Sequence, residues 1–185
     1  MTVFDEKALV RRAVAGDTGA FNELLKENGG KLFSFALSIC GGDRGAAEEI
    51  YQEALVKAFV NIGKFEGKSS FSTWMWTITR NSYIDFLAEN KKFVSLEEAE
   101  SFEPSSDISA ELELIREDQA KMLRKLIAEL PVSYSEVITL VDLQEMEHSE
   151  AAELLGIDKN LLKVRLFRAR NALEKVIRAN IGLFR

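Results

Sequence analysis

The sequence contains very few residues that interrupt a helix. Pro104 and Pro131 are the only prolines among 185 residues. A proline inside a helix removes a backbone hydrogen bond and clashes with the preceding turn, so their scarcity permits helix almost everywhere. Apolar residues recur at spacings of three and four, which is the periodicity of amphipathic helices rather than of strands. The sequence therefore predicts an all-α fold.

The first half of the chain carries enough apolar helical faces to close one core. Helical periodicity predicts separate helices beginning near Leu9, Asp17 and Leu32, and a longer helix from Asp43. A further helix begins at Phe71, after a loop that contains glycines and serines. We expect these helices to form one domain, with Asp17 or Thr18 as the N-cap of the second helix and Ser70 as the N-cap of the last.

An acidic segment divides the chain. Residues 96–118 contain nine acidic side chains and one arginine. The stretch around Pro104 mixes acids and serines without sustained helical periodicity, as solvated, flexible linkers do. We therefore predict two small helical domains, residues 1–92 and 112–185, joined by an acidic linker over residues 93–111.

The composition excludes several classes of function. With 46% hydrophobic and 29% charged residues the chain is globular. It has no apolar run of the roughly 18 residues that cross a bilayer and no signal-peptide pattern, so we expect a cytoplasmic protein without membrane insertion. A single cysteine, Cys40, and a single histidine, His148, exclude a Cys/His zinc site. No phosphate loop or nucleophile elbow indicates an enzyme, and we expect no cofactor and no metal.

The segment from Glu147 to Asn180 has the spacing of a helix-turn-helix. A short helix from His148 to Leu155 is followed by Gly156 as its C-terminal cap and by Asp158 as the N-cap of a basic helix. One arc of the basic helix is predicted to pack, through Leu162, Leu166, Ala169, Leu173 and Val176. The other side carries the candidates for reading duplex DNA, which are Lys159, Asn160, Lys163, Val164, Phe167 and Arg168. An ordinary amphipathic surface helix with a basic tail is the alternative.

The overall charge at first argues against DNA binding. The chain has 24 basic and 30 acidic residues, a net charge of −6, whereas binding to phosphates depends on Lys and Arg. The deficit lies in residues 96–118, and residues 159–185 hold eight basic side chains against one acid. The last helix is therefore suited to DNA, although tight binding by the free protein is not expected.

Aromatic residues are concentrated on the helix that begins at Phe71. Trp76, Arg80 and Tyr83 share a stripe at spacings of four and three. Aromatic rings beside a cation and hydrogen-bonding groups are what the stacking of unpaired bases requires. Most aromatic residues on a helix belong to a core, however, and we expect Phe71 and Trp74 to be at least half buried.

Together these segments resemble the extracytoplasmic-function sigma factors of bacterial RNA polymerase, in the sigma-seventy family. In the first domain the resemblance rests on residues 20–24 (AFNEL), 47–54 (AEEIYQEA) and 64–74 (KFEGKSSFSTW), with Asn81 and Asp85 following. In the second domain it rests on Leu130-Pro131, Glu136-Val137, residues 153–157 (ELLGI) and residues 163–170 (KVRLFRAR).

The resemblance implies a dissociable subunit that directs polymerase core to promoters and assists strand opening. It assigns binding of the polymerase core to Glu48, Glu49, Gln52 and Glu53. It assigns capture of a flipped minus-ten base and of the melted strand to Phe65, Lys68, Ser69, Ser70, Phe71, Trp74, Trp76, Arg80 and Asn81. It assigns reading of the minus-thirty-five element to the basic helix, above all to Lys163, Val164, Phe167 and Arg168.

The implied partners are RNA polymerase core, promoter DNA and an anti-sigma factor that holds the two domains closed, and the free protein is expected to be a monomer.

Leu161 and Val164 depart from the family pattern, since small hydroxyl residues are usual there, and Glu147 replaces the usual hydroxyl N-cap. The alternative function is a helix-turn-helix regulator that binds duplex DNA without polymerase.

Overall fold

The structure is a computed structural model that describes residues 5–90 and 108–180, and the side chains of residues 5–89 and 118–180. The first range, here called the N-terminal unit, contains α1 (Glu6–Val14), α2 (Thr18–Ile39), α3 (Arg44–Asn61) and α4 (Phe71–Asn90). The second range, the C-terminal unit, contains α5 (Ile108–Ala128), α6 (Val132–Ile138), α7 (His148–Leu155) and α8 (Lys159–Ala179). A 3₁₀ turn at Ile62–Lys64 and a π-helical turn at Thr139–Leu143 complete these ranges, which contain no strand. The predicted all-α fold is confirmed.

The acidic linker predicted over residues 93–111 lies mostly outside the described residues. Helix α5 begins at Ile108, before the expected start at Leu112.

Side-chain caps begin the helices of the N-terminal unit. Asp5, Asp17 and Asp43 each accept a hydrogen bond from the backbone N–H three residues later, at 3.0, 3.1 and 3.1 Å. Ser70 Oγ accepts from the N–H of Thr73 at 3.1 Å. Such caps satisfy backbone donors that have no partner inside the helix. The predicted cap at Ser70 is confirmed, and of the two candidates Asp17 and Thr18 it is Asp17 that caps α2.

Two helices predicted separately, near Asp17 and near Leu32, are one continuous helix, α2. The helix passes through Gly29 and Gly30, which lower helix propensity. The packing of α3 explains why Gly29 is accommodated, because a Cβ on this residue would lie 2.9 Å from the Tyr51 hydroxyl. Buried side chains on both sides of the glycine pair hold the helix against the core, so tertiary packing outweighs local propensity.

Every helix of the two units, α1 to α8, contributes buried apolar residues. The largest fully buried side chains of the N-terminal unit include Leu24, Leu32, Phe35, Ile50 and Phe71. In the C-terminal unit they include Leu126, Ile127, Ile138, Leu140 and Leu162. The two units also touch each other, because α4 packs on α7 and α2 contacts the π-helical turn. This contact positions the surfaces described next.

Candidate nucleic-acid interface

Helices α7 and α8 form the predicted helix-turn-helix. Gly156 ends α7 in the left-handed conformation, with φ of 64° and ψ of 34°, as a glycine after a helix commonly does. Asp158 Oδ1 accepts from the backbone N–H groups of Asn160 and Leu161 at 2.8 and 3.0 Å, which fixes the start of α8. Glu147 makes no side-chain cap of α7, as expected for a residue without a short hydroxyl or carboxylate side chain.

The two sides of α8 are arranged as the sequence predicts. Leu162, Leu166 and Ala169 are buried, and Leu173 and Val176 pack partly buried beside them. All six candidate DNA-reading residues of this helix are exposed: Lys159, Asn160, Lys163, Val164, Phe167 and Arg168. The exposed fraction of Phe167 is 67%, so this ring lies on the surface, on the same side of α8 as Lys163 and Arg168. Apolar and basic side chains therefore share one open face.

Basic side chains along α8 differ in their pairing. Arg170 forms an ion pair with Asp142 at 2.5 Å, and Arg178 forms one with Glu174 at 2.6 Å. Among the described residues, Lys163 and Arg168 have no ion-pair partner. Lys163 and Arg168 are thus among the cations of α8 that remain available to phosphates and base edges.

A groove of about 500 Å³ lies between α1 and the loop before α4. The loop side is formed by Phe65, Gly67, Ser69, Ser70 and Phe71, and the α1 side by Glu6, Lys7, Val10 and Arg11. Glu6 Oε1 accepts a hydrogen bond from the backbone N–H of Phe71 at 3.2 Å, which joins the two sides. The sequence indicated the loop but not the α1 residues, whose only signal was the cationic pair one helical turn apart.

An aromatic cluster supports this groove. The ring centroids of Phe65 and Trp74 are 4.9 Å apart, and those of Phe71 and Trp74 are 5.9 Å apart. Phe71 is fully buried, whereas Phe65 and Trp74 are partly exposed, and Lys68 pairs with Glu66 on the surface. Phe71 and Trp74 were both expected to be at least half buried: Phe71 is fully buried, and Trp74 packs partly buried against the core. Phe65 thus leaves ring surface at the groove, and Trp74 packs against it.

Trp76 and Arg80 lie on a different side of α4 from the groove residues. Trp76 is 5% exposed, and its ring is parallel to that of Phe35. Arg80 is directed at the C-terminal unit, where its Nε donates to Glu136 Oε1 at 2.7 Å and its Nη2 to Glu136 Oε2 at 3.2 Å. Asn81 is exposed. The structure therefore brings the loop residues together but keeps Trp76 and Arg80 apart from them.

Helix α3 presents an exposed stripe that is part acidic and part apolar. Glu48, Glu49 and Gln52 are exposed, as a partner-binding role requires. Glu53 is half-buried and bonds to Lys57 at 2.7 Å, while Lys57 also reaches Asp85 at 2.9 Å. These hydrogen bonds to Glu53 and Asp85 raise the pKa of the Lys57 ammonium. Glu53 is thus engaged within the unit.

Exposed apolar residues on α3 were missed by sequence reasoning. Val56 and Val60 are 64% and 71% exposed and continue the line of Glu49 and Gln52 along the helix. Phe59 is also 51% exposed, although its edge contacts Phe21. The α3 sequence has more apolar positions than one core-facing arc can bury. That excess was the signal in the sequence from which exposed apolar residues could have been expected.

Other classes of site find little support in the described part of the chain. Within residues 5–90 and 108–180, no group of three or more His, Cys, Asp or Glu side chains is placed to hold a metal ion. No helix there is long and apolar enough to cross a membrane.

Comparisons with known proteins identify the family. Residues 24–93 match the Sigma-70 region 2 family and residues 120–173 match the Sigma-70, region 4 family. The chain is 30% identical to the ECF RNA polymerase sigma factor SigW of Bacillus subtilis over 181 residues, 93% of this chain and 96% of that protein. It is 27% identical to the RNA polymerase sigma-H factor of Pseudomonas aeruginosa over 186 residues, 96% of each chain.

Solved structures share the fold. CnrH in complex with the cytosolic domain of CnrY matches with a TM-score of 0.69 and 24% identity, over 94% of this chain and 97% of that chain. RpoE of Bartonella quintana in complex with the anti-sigma factor NepR matches with a TM-score of 0.68 and 23% identity, over 85% and 96%. The family models and the match to SigW confirm the resemblance found in the sequence, and the chain belongs to the sigma-70 family, in its extracytoplasmic-function (ECF) group.

Proposed function

We propose that this sigma factor directs RNA polymerase core to promoters through two DNA-reading surfaces, one on each unit. The observation that carries the proposal is the helix-turn-helix in which all six predicted DNA-reading residues lie on the open side of α8. Family membership and the groove beside the loop support a second surface for melted DNA.

The α8 surface is suited to the major groove at the minus-thirty-five element. Lys163 and Arg168 are exposed in the first half of a capped helix, where recognition helices meet base edges and phosphates. Val164 and Phe167 add apolar surface of the kind that contacts thymine methyl groups. We therefore assign sequence reading to the first half of α8.

The groove beside the loop is suited to an unstacked base of the minus-ten element. Removing a base from its stack costs a few kcal/mol, and a pocket with aromatic partners offsets part of that cost. Phe65 supplies an aromatic wall, the hydroxyl of Ser69 supplies a hydrogen bond, and Lys7 and Arg11 supply cations for the flanking phosphates. We therefore add Lys7 and Arg11 to the predicted minus-ten residues.

The stripe on α3 is proposed as the docking face for polymerase core. Protein interfaces combine an apolar centre with a polar rim, and Val56 and Val60 next to Glu49 and Gln52 have that composition. Glu53 has its own partner in Lys57 and is expected to contribute less than Glu49 or Gln52. An anti-sigma factor is a further proposed partner, because RpoE of Bartonella quintana, which has the same fold, was solved in complex with the anti-sigma factor NepR.

Transcription in vitro distinguishes this proposal from a regulator that acts without polymerase. The chain alone is expected to bind duplex DNA weakly and to give promoter-specific initiation only with polymerase core. Tight sequence-specific duplex binding without core, together with no stimulation of core, would favour the helix-turn-helix regulator instead.

A further inference from the structure

A buried ion pair joins the two units. The Glu136 side chain, on α6, is 4% exposed, and the Arg80 side chain, on α4, is 22% exposed. Both carboxylate oxygens accept from the guanidinium, at 2.7 and 3.2 Å. Two parallel bonds of this kind give geometric specificity as well as energy. The pair therefore defines how α6 sits on α4.

Further contacts surround the ion pair. Gln144 Nε2 donates to Ser34 Oγ at 3.3 Å, across the same junction. At Gly41 the units approach so closely that a Cβ would lie 2.7 Å from the Cβ of Ala128. Buried residues of both units, among them Trp76 and Leu140, belong to one continuous apolar cluster. The junction thus resembles a packed interface rather than a single polar contact.

The closed arrangement affects the three functional surfaces differently. It covers Arg80, which is hydrogen-bonded to Glu136 of the C-terminal unit. It also covers one side of Trp76, which lines a cleft together with residues of that unit. It leaves Lys163 and Arg168 on α8 exposed, and Val56 on α3 as well. Closure therefore withholds part of the predicted melted-strand surface while it leaves duplex reading and polymerase docking accessible.

We propose that the C-terminal unit inhibits the chain internally, with the Glu136 carboxylate occupying the place on Arg80 that a phosphate of the melted minus-ten strand takes. Carboxylate and phosphate oxygens are recognised by the same planar donor pattern of arginine. The two ligands therefore compete for one guanidinium, and the C-terminal unit must leave α4 before the melted strand binds there. This inference rests on the proposed DNA role of Arg80.

Competition of this kind lowers the DNA affinity of the free chain. Only the open fraction can bind the strand at Arg80, so the apparent dissociation constant rises as that fraction falls. Docking of polymerase core on the exposed α3 stripe does not require prior opening. The closed arrangement thus leaves this docking face accessible to core.

Full-length Glu136→Gln tests the proposal, since the amide keeps the shape of the side chain and removes its charge. Its matched control is Glu153→Gln, the same change at an exposed position of α7 away from Arg80. Small-angle X-ray scattering reports closure, and anisotropy of a short, random-sequence, fluorescein-labelled single-stranded DNA reports binding. We expect a larger radius of gyration for Glu136→Gln and about tenfold tighter DNA binding, with neither change in Glu153→Gln.

Two further variants keep the outcomes separate. Arg80→Gln should expand the chain as Glu136→Gln does, but bind the oligonucleotide more weakly. Gln144→Ala removes the second inter-unit hydrogen bond and tests opening independently if Glu136→Gln lowers thermal stability. Unchanged dimensions and unchanged DNA affinity in folded Glu136→Gln would overturn internal inhibition. Expansion without tighter binding would instead contradict the DNA role of Arg80, and the competition with it.

Discussion

Trp76 stacks on Phe35 with ring centroids 5.4 Å apart and an angle of 5° between the ring planes. The indole is 5% exposed, so one face of the ring is already occupied by a side chain of α2. Aromatic pairs with such geometry contribute beyond the area that they bury. Trp76 therefore joins α2 to α4, in addition to any part that it takes in DNA binding.

Replacing Trp76 with alanine is expected to lower the free energy of unfolding by about 3–5 kcal/mol, the range for large aromatic residues removed from a core. Urea unfolding followed by circular dichroism measures this loss. Trp74→Ala is the matched control, because Trp74 is only partly buried beside the groove and should cost less. A Trp76→Ala variant as stable as the parent chain, and defective only in strand opening, would show that the stack contributes little to folding.

Lys163→Ala and Arg168→Ala should each weaken promoter binding by the polymerase holoenzyme. A contact that reads a base costs about 1–3 kcal/mol when it is removed. Footprinting over the minus-thirty-five element measures the effect. Arg178→Ala removes an equal charge from the far end of α8, where the guanidinium is paired with Glu174, and should leave binding nearly unchanged. Equal losses for all three variants would indicate a nonspecific charge effect.

A charge on the apolar part of the α3 stripe should weaken the binding of polymerase core. Val60→Glu places a carboxylate at a position that is 71% exposed, so the free chain should keep its stability while its affinity for core falls by at least about tenfold. Val132→Glu, at a valine 41% exposed on α6, is the control. Titration of labelled chain with core measures both. Unaltered affinity in Val60→Glu would exclude this part of the stripe from the interface.

Stability should fall in alkaline solution through groups near the unit junction. Burial, with the charges of Cys40 and Glu136 adding to it, raises the pKa of Tyr83 from 10.0 to about 12. Burial likewise raises the pKa of the Cys40 thiol from 9.0 to about 12. A group with a raised folded-state pKa contributes stability below its unfolded pKa and loses it as the pH rises through the folded value.

The urea midpoint of the parent chain is therefore expected to fall as the pH rises from 10 toward 12. Tyr83→Phe cannot ionise and should show a shallower fall, by an amount on the order of 1–3 kcal/mol in unfolding free energy. Tyr51→Phe is the control, because Tyr51 is only partly buried and its pKa is raised less. Identical pH profiles for the parent chain and Tyr83→Phe would contradict the role of this phenol.

Features set by local interactions could be predicted from the sequence. The cap roles of Gly156 and Asp158, and the division of α8 into a buried and an exposed side, could be predicted. Capping and helical periodicity involve only residues close together in the chain. The fusion of two predicted helices through Gly29 could not be predicted, because it depends on the approach of Tyr51 from α3. Local propensity contains no information about that contact.

Features set by contacts between distant residues required the structure. Trp76 and Arg80 lie on the stripe that periodicity indicated. The sequence does not reveal that Phe35 stacks on Trp76 or that Glu136 pairs with Arg80. The α1 side of the groove was also missed, since Lys7 and Arg11 lie far along the chain from Phe65. Each omission involves residues that lie far apart in the chain.

Run-off transcription with purified polymerase core on a library of genomic fragments tests promoter direction most directly. We expect the complete chain to give initiation at a defined set of fragments that share two spaced sequence elements, and core alone to give none of these products. The variants Lys163→Ala and Arg168→Ala should reduce the yield without changing the binding of core. Transcription identical with and without the chain, under conditions where the chain binds core, would contradict a promoter-directing role.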